Sequence, residues 1–210
     1  TGANEYACDL QFRSIASRLR RLGLGKLWMK DASTARYWAW AKLAGKPEKT
    51  VSYELPFIMP VSIPFTRLSD WTRETSASAS SGAITATPTT FLINNPGDLP
   101  TQRLTIRLRA NGAAGITNPV LTNLSNGYAW SSTRDSVSAN SEIKLDCERM
   151  RVLWSDDDGT SYADDWALAS LGDKQRGIMQ LEPGDNAFRY SSGGTPALAI
   201  EFSYEVLYEL

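Results

Sequence analysis

The 210-residue sequence contains no histidine. Histidine supplies the base of Ser-His-Asp and Cys-His nucleophile systems, and it is a common ligand of zinc and iron. Its absence excludes these catalytic systems and every His-ligated metal site. Carboxylate chemistry remains open to the chain, and so does a role without catalysis.

Cysteine and long apolar runs are scarce as well. Cys8 and Cys147 lie far apart and have neither metal-binding nor redox spacing, so we expect no disulfide framework. This is compatible with assembly in a reducing compartment. No run reaches the roughly 18 consecutive apolar residues of a spanning helix, so we predict no membrane insertion. Because the chain begins at Thr1 without a signal peptide or a methionine, we expect it to be a piece of a longer product.

Neither sign of charge is in excess, since the sequence contains 22 Lys and Arg residues and 23 Asp and Glu residues. That balance gives no overall attraction to nucleic acid or to an anionic membrane, and we predict no nucleic-acid specificity. A hydrophobic content of 42% is typical of a soluble globular protein. The length allows one large domain or two small ones.

The first predicted element is an amphipathic helix. Asn4 is a suitable N-cap, and Gly23 and Gly25 would end the helix. Its basic face, with four arginines, is more typical of a solvated helix face than of a phosphate site. Apolar residues recur at spacings of four and three and predict one buried stripe, formed by Cys8, Phe12, Ile15, Leu19 and Leu22.

An aromatic β-hairpin is predicted next. "KLWMK" (26–30) and "ARYWAWAKLAG" (35–45) flank a polar "DAST" turn. Tyr37, Trp38 and Trp40 could form a ligand platform, but core or subunit contacts are the more common roles of such aromatics. "TVSYELPFIMPVSIPFT" (50–66) is interrupted by three prolines and is therefore expected at a sheet edge or partly outside a sheet.

The remaining chain is predicted to be β structure. Residues 74–90 are small and polar, which indicates a connection or a thin edge strand. Beyond them, short alternating strands separated by turn signals favour an antiparallel sandwich or jelly roll. Its predicted inward-facing residues are Leu104, Ile106, Leu108, Ile143, Leu145, Cys147, Met150, Val152, Trp154, Leu198, Ile200, Phe202, Tyr204 and Val206.

The acidic segment "WSDDDGTSYADD" (154–165) suggests a calcium loop at first. Placing Gly159 at the sixth position of an EF-hand puts Trp154 where the first carboxylate belongs, and Asp165 where glutamate is needed. We therefore predict the tip of a hairpin, with Gly159 left-handed and Trp154 opposite Tyr162. We predict no metal site and no cofactor, while an adventitious cation at this loop stays open.

A carboxylate pair for glycoside hydrolysis is the remaining catalytic option. Sequence alone places no two carboxylates across a cleft, and strand alternation exposes most of them. We expect no enzyme and no catalytic residues, and the candidates considered for such a pair are Asp146, Glu148, Asp164 and Asp165.

Several segments, in order, resemble the distal tail proteins of long-tailed bacteriophages. "GKLWMKDASTARYWAWAKLAGKPE" is similar to the aromatic hairpin of that family, and "SYELPFIMPVSIPFT" with Trp71 is similar to the proline-rich strand that follows it. "ITNPVLTNLSNGYAW", "SEIKLDCERMRVLWSDDDGTSY" and "MQLEPGDNAFRYSS" resemble the run "NPxhxNxxxG", "hxhDxxxxxVxxxDG" and "LxPGxNxhxYxS". Each motif is mainly turn chemistry, and their order and spacing carry the resemblance.

This resemblance implies a mainly β protein with two parts. Residues 1–73 would be the C-terminal part of an α+β ring-forming domain whose first strands are missing, and residues 91–210 a galectin-like antiparallel β-sandwich. The implied function is structural. A ring of identical subunits, usually a hexamer, would join the tail tube protein to the tail-tip or baseplate hub protein, in a virion assembled in the host cytoplasm. Candidate subunit contacts are Tyr37, Trp38, Trp40, Phe57 and Phe65.

Two other functions remain open. One is a carbohydrate-binding sandwich for attachment to a host-surface saccharide, for which Trp130, Trp154 and Trp166 are the candidate stacking residues, although core packing is the more common role for each. The other is a carboxylate-dependent hydrolase, which the missing histidine and the missing acid pair make the weakest alternative.

Overall fold

The computed structural model describes residues 24–30, 35–45, 48–49, 61–111, 115–135, 137–172 and 177–209. These residues form antiparallel β-strands and one 3-10 turn, Trp166–Leu168, which confirms the prediction of a mainly β, antiparallel fold. The predicted N-terminal helix lies outside the described residues. Within them, no helix is long and apolar enough to cross a membrane.

The chain divides into two compact units between Glu74 and Thr75. The strands of the first unit are β1 (Leu24–Lys30), β2 (Arg36–Leu43), β3 (Glu48–Lys49), β4 (Val61–Ser62), β5 (Phe65–Arg67) and β6 (Trp71–Arg73). β1 and β2 form the predicted aromatic hairpin, with Trp28 opposite Trp38. β5 and β6 each pair with β2, and β3 pairs with β4.

The second unit contains two antiparallel sheets. Their strands are β7 (Ala77–Ile84), β8 (Thr89–Asn95), β9 (Leu104–Ala110), β10 (Thr117–Asn123), β11 (Ala129–Ser132), β12 (Glu142–Asp146), β13 (Arg151–Ser155), β14 (Ala163–Asp164), β15 (Ala169–Leu171), β16 (Gly184–Gly193) and β17 (Leu198–Tyr204). The short β18 (Leu207–Tyr208) belongs to neither of these two sheets. One sheet has the order β15-β11-β10-β16-β8, and the other has the order β14-β13-β12-β9-β17-β7. The serine-rich β7 therefore lies at an edge.

The two sheets share one hydrophobic core. Phe188 of the five-stranded sheet packs against Phe202 of the six-stranded sheet, with 5.0 Å between ring centroids. Trp130 and Tyr190 are fully buried in the same cluster. Burying each of the two phenylalanine side chains contributes roughly 1.5–3 kcal/mol. The galectin-like form of this arrangement stays a prediction.

Strand alternation predicted about half of the buried residues in this core. The alternating residues of β9, β12 and β17 that were expected to face inward are buried. Cys147 is also buried as a free thiol, and burial raises its pKa. The prediction is wrong for Met150, which ends a turn with φ +54° and is 44% exposed.

The quoted motifs contain two buried asparagines, and the hydrogen bonds of these side chains explain why asparagine occurs there. The side-chain amide of Asn123 donates to the Asn186 side-chain oxygen at 3.1 Å and to the Gln180 carbonyl at 2.9 Å. The Asn186 amide in turn donates to the Glu182 carbonyl at 2.8 Å. Gly184 has φ +80°, as the third position of a type II turn requires. The asparagine side chains of "NPVLTN" and "EPGDN" thus connect two turns through one buried polar network.

Candidate functional site

The first candidate site is one face of the β1–β2 hairpin. Residues directly opposite in an antiparallel pair share a face, and the register places Trp28 opposite Trp38 and Lys26 opposite Trp40. We call this surface, with Leu24, the tryptophan face. Leu24 is 58% exposed, Trp28 45% and Trp40 39%. Three large apolar side chains of a short hairpin are therefore open to solvent.

Cations accompany the rings of the tryptophan face. The Lys26 ammonium lies 3.7 Å from the ring centroid of Trp38 and 5.8 Å from that of Trp40. The Arg36 guanidinium lies 5.1 Å from the Trp28 centroid and pairs with Glu74 at 3.2 Å. At an exposed position a cation–π contact contributes about 0.5–1 kcal/mol. These contacts restrict the rings without burying them.

The predicted interface residues do not all lie together. Trp38 and Trp40 are on the tryptophan face, but Tyr37 and Phe65 are on the opposite side of the sheet. Phe57 lies outside the described residues. Trp28 was missed by the sequence analysis, although the alternation of "KLWMK" and the register of a hairpin with a short turn could have placed it beside Trp38.

The second candidate site is a depression on the outer face of the six-stranded sheet, with a volume of about 610 Å³. Lys144 lies opposite Arg107, Arg107 opposite Glu201, and Glu201 opposite Ser80, so one cross-strand row passes through it. We call this depression the outer concavity. It is lined by Ser78, Ala79, Ser80, Thr105, Arg107, Lys144, Glu201, Phe202 and Ser203.

The acidic loop, residues 156–162, is organised by Asp157. Its carboxylate accepts hydrogen bonds from the hydroxyls of Ser155 at 2.6 Å and Ser161 at 2.5 Å, and from the amides of Ser161 at 2.9 Å and Thr160 at 3.1 Å. The Ser155 bond, followed by those from Ser161, holds the pKa of Asp157 well below its usual range. Gly159 has φ +78°, as the sequence predicted.

The loop is bound to the outer face of the six-stranded sheet beside the outer concavity. The almost completely buried Glu142 carboxylate pairs with Arg107 at 3.2 Å and accepts a hydrogen bond from the Tyr162 hydroxyl. Arg109 pairs with Asp158. Burial raises the pKa of Tyr162, and its bond to Glu142 raises that pKa further. Arg107 therefore belongs both to the concavity and to the anchor of the loop.

The predicted cross-strand pair of Trp154 with Tyr162 is wrong. Trp154 lies opposite Ala163, while Tyr162 belongs to the loop and binds Glu142. The physical reason is loop length. Residues 156–162 all lie in the connection, because Asp157 closes a wider turn than the three-residue loop that the glycine suggested.

Three of the five aspartates of the segment have separate partners. Asp157 binds serine hydroxyls and backbone amides, Asp158 binds Arg109, and Asp165 binds Arg134. Asp146 accepts the Arg149 amide at 3.1 Å within a turn. In the part of the chain that the structure describes, no three Asp, Glu or Cys side chains converge on a point that could hold a metal ion.

The tryptophans predicted for saccharide stacking lie elsewhere than in the outer concavity. Trp130 is fully buried, so its ring has no face available to a ligand. Trp154 is on the inner face of the sheet, with the Arg134 guanidinium 3.8 Å from its ring centroid. Trp166 is 40% exposed on the 3-10 turn. None of these three rings lines the concavity.

The chain is similar to a solved phage protein structure. No protein-family model matches the sequence, and no curated protein matches it. Among solved structures, the chain is similar to the crystal structure of the phage SPP1 Dit protein (gp 19.1), described as a paradigm of the hub adsorption apparatus in phages that infect Gram-positive hosts. The identity is 13%, the match covers 88% of this chain and 89% of that chain, and the TM-score is 0.37. The matched structure is a phage distal tail hub protein, which is the kind of protein that the sequence resembles.

Proposed function

We propose that this protein is a structural subunit of a phage tail, located in the hub at the distal end of the tail, and that it is not an enzyme. The order and spacing of the quoted motifs support this proposal. In it, a homo-oligomeric ring, a hexamer in the family that the sequence resembles, joins the tail tube protein to the tail-tip or baseplate hub protein. The ring would function in the virion after assembly in the host cytoplasm.

The observation that carries the proposal is the exposure of the tryptophan face. Tryptophan and arginine are enriched in protein interfaces and dominate their binding energy. Trp28 and Trp40 are both more than one-third exposed, and Lys26 and Arg36 already hold the rings in place. A preordered surface of this composition loses little side-chain entropy on docking.

The described residues of the first unit bury few apolar side chains. Among its described residues, the buried apolar side chains are only Ala39 and Ala41. Tyr37 and Trp38 are half-buried. A hairpin that buries so little apolar area gains stability by packing against a neighbour. We therefore assign the tryptophan face to the contact between subunits.

The second unit is proposed to be the galectin-like sandwich that the resemblance implies. Its two antiparallel sheets and shared core are the arrangement that such a sandwich needs. In this proposal it is carried on the ring and takes no part in closing it.

The test compares the assembly of three versions of the complete gene product by native mass spectrometry and light scattering. We expect the wild type to form a closed oligomer and the double variant Trp28→Ser/Trp40→Ser to be mainly monomeric. Leu92→Ser is the matched control, because it removes a 63% exposed apolar side chain from the second unit and should leave the oligomer unchanged. A monomeric wild type, or an oligomer that the double variant leaves intact, would contradict the proposal.

A further inference from the structure

We propose that Asn126 is a latent deamidation site, kept unreactive by the hydrogen bonds of the folded chain and exposed to reaction when those bonds break. Asn126 and Gly127 form an Asn-Gly pair in the turn between β10 and β11. The co-reactant is water, and the products are ammonia and an aspartate or isoaspartate at position 126. The inference concerns the second unit and does not depend on a role in a phage tail.

The reaction takes place between two neighbouring residues. The backbone nitrogen of Gly127 bonds to the side-chain carbonyl carbon of Asn126, the bond from that carbon to Nδ2 breaks, and ammonia leaves with the proton of the Gly127 amide. Water then opens the resulting five-membered imide at either of its carbonyls, which gives aspartate or isoaspartate. A glycine in the second position favours the attack, because it has no Cβ to hinder the nitrogen.

The attacking nitrogen is engaged in the folded chain. The Gly127 N–H donates to the Asn123 carbonyl at 2.8 Å, and the Asn123 N–H donates to the Tyr128 carbonyl at 2.8 Å. The φ of Gly127, +79°, belongs to the same turn. The nitrogen must leave the Asn123 carbonyl and lose its proton before it can attack, and the folded turn opposes both steps.

The Asn126 side chain is bonded at both polar atoms of its amide. Nδ2 donates to the Gln180 carbonyl at 3.1 Å and to the Glu182 carboxylate at 3.1 Å, while Oδ1 accepts the Tyr128 backbone N–H at 3.1 Å. The Gln180 side-chain amide donates to the same Glu182 oxygen at 2.9 Å. These bonds hold the Asn126 amide in one orientation and restrict the movement of its carbonyl carbon toward the Gly127 nitrogen. Several hydrogen bonds must therefore break together before the reaction begins.

Deamidation would prevent the same bonds from forming again. An oxygen would replace Nδ2, and it would face the Gln180 carbonyl and the Glu182 carboxylate, which are both acceptors. Two carboxylates would then lie side by side, and like charges in contact repel. The Gln180 carbonyl also accepts the Asn123 side-chain amide at 2.9 Å, so the change would reach the buried polar network. A transient opening of the turn would thus become permanent.

Mass spectrometry of peptide digests tests the proposal on the full chain, incubated at mildly alkaline pH either folded in buffer or unfolded in urea. We expect Asn126 to deamidate at least about tenfold more slowly in the folded protein than in the unfolded one, because several hydrogen bonds must open first. Asn111–Gly112, a second Asn-Gly pair of the sequence, is the internal reference for the reactivity of such a pair in urea.

Two variants separate the contacts of Asn126 from the general stability of the fold. Glu182→Ala removes one acceptor of the Asn126 amide and should raise its deamidation rate in the folded protein about threefold or more. Asp185→Ala is the matched control. The Asp185 carboxylate lies close by in the sequence but accepts from Asn94 at 2.8 Å, so its removal should leave the rate at Asn126 unchanged. A thermal melt of each variant checks its fold.

The variant Asn126→Asp tests the consequence of the modification. It should lower the melting temperature more than Asn126→Ala does, because alanine only removes the hydrogen bonds, whereas aspartate also adds a charge beside Glu182. Adding Glu182→Gln to Asn126→Asp should restore part of the loss, since a side-chain amide at position 182 can donate to the new carboxylate.

Three outcomes would overturn the proposal. One is deamidation of Asn126 at the same rate in the folded and the unfolded protein, and another is an equal rate for Glu182→Ala and Asp185→Ala. The third is a melting temperature of Asn126→Asp that is as high as that of Asn126→Ala. Each outcome is independent of whether the chain forms a ring.

Discussion

At the residue scale, Asp157 is the most highly bonded carboxylate of the acidic loop although it is exposed to solvent. Four donors surround it, and they come from Ser155, Thr160 and Ser161. All four favour the ionised form, which is why its pKa is lowered. The aspartate-rich segment is thus a self-supporting turn.

This residue predicts a pH dependence. The folded-state pKa of Asp157 lies below the unfolded value of about 3.9, so its stabilising contribution is present above pH 4 and is lost as the pH falls below it. In calorimetric melts from pH 6 to pH 2.5, Asp157→Asn should lower the melting temperature near pH 6, and its difference from the wild type should shrink below pH 4. Asp156→Asn is the control and should follow the wild type. Parallel curves for Asp157→Asn and the wild type would contradict the assignment.

At the element scale, left-handed residues at turns set where strands begin and end. Gly159 lies in the acidic loop, and an added Cβ there would come within 2.9 Å of the Tyr162 hydroxyl. Gly184 begins β16, and Gly127 precedes β11, both with positive φ. These glycines are part of the quoted motifs, so the motifs describe turn geometry.

Substitution of Gly184 measures the free-energy cost of a positive φ in such a turn. A Cβ at this position would meet nothing within 4 Å, so Gly184→Ala reports the backbone cost alone. We expect urea denaturation to show a loss of about 1–2 kcal/mol in the free energy of unfolding, and a smaller loss for Gly184→Asn, which tolerates positive φ better. Gly115→Ala is the matched control, because that site is equally open and lacks a positive φ. Equal losses at positions 184 and 115 would show that φ is not the cause.

At the scale of the whole molecule, the described residues of the two units differ in how much apolar core they form. The large cluster of buried residues, from Ile84 to Val206, belongs to the second unit. The described residues of the first unit bury only alanines among their apolar side chains. The second unit should therefore be able to fold alone.

Calorimetry of residues 75–210 checks this expectation. The fragment should unfold in one cooperative transition with an enthalpy of about 95 kcal/mol near 60 °C, from about 0.7 kcal/mol per residue. The absence of a cooperative transition would contradict this assignment of stability.

The sequence by itself determined the local properties of this protein. The missing histidine removed whole classes of catalysis, and alternation placed Leu104, Ile106 and Leu108 on one face because side chains of a strand alternate with period two. The left-handed Gly159 was likewise predicted from local turn chemistry. Each of these depends only on neighbours along the chain.

Only the tertiary structure decided which residues meet. It buried Trp130, brought Trp28 beside Trp38, set Trp154 opposite Ala163, and built the outer concavity from strands far apart in sequence. Periodicity gives the face on which a side chain lies, but neither the adjacent strand nor the length of the connecting loop. Strand pairing and loop length are set by burial of apolar area across the whole chain. A shift of the strand register by one residue moves every side chain of that strand to the other face of the sheet.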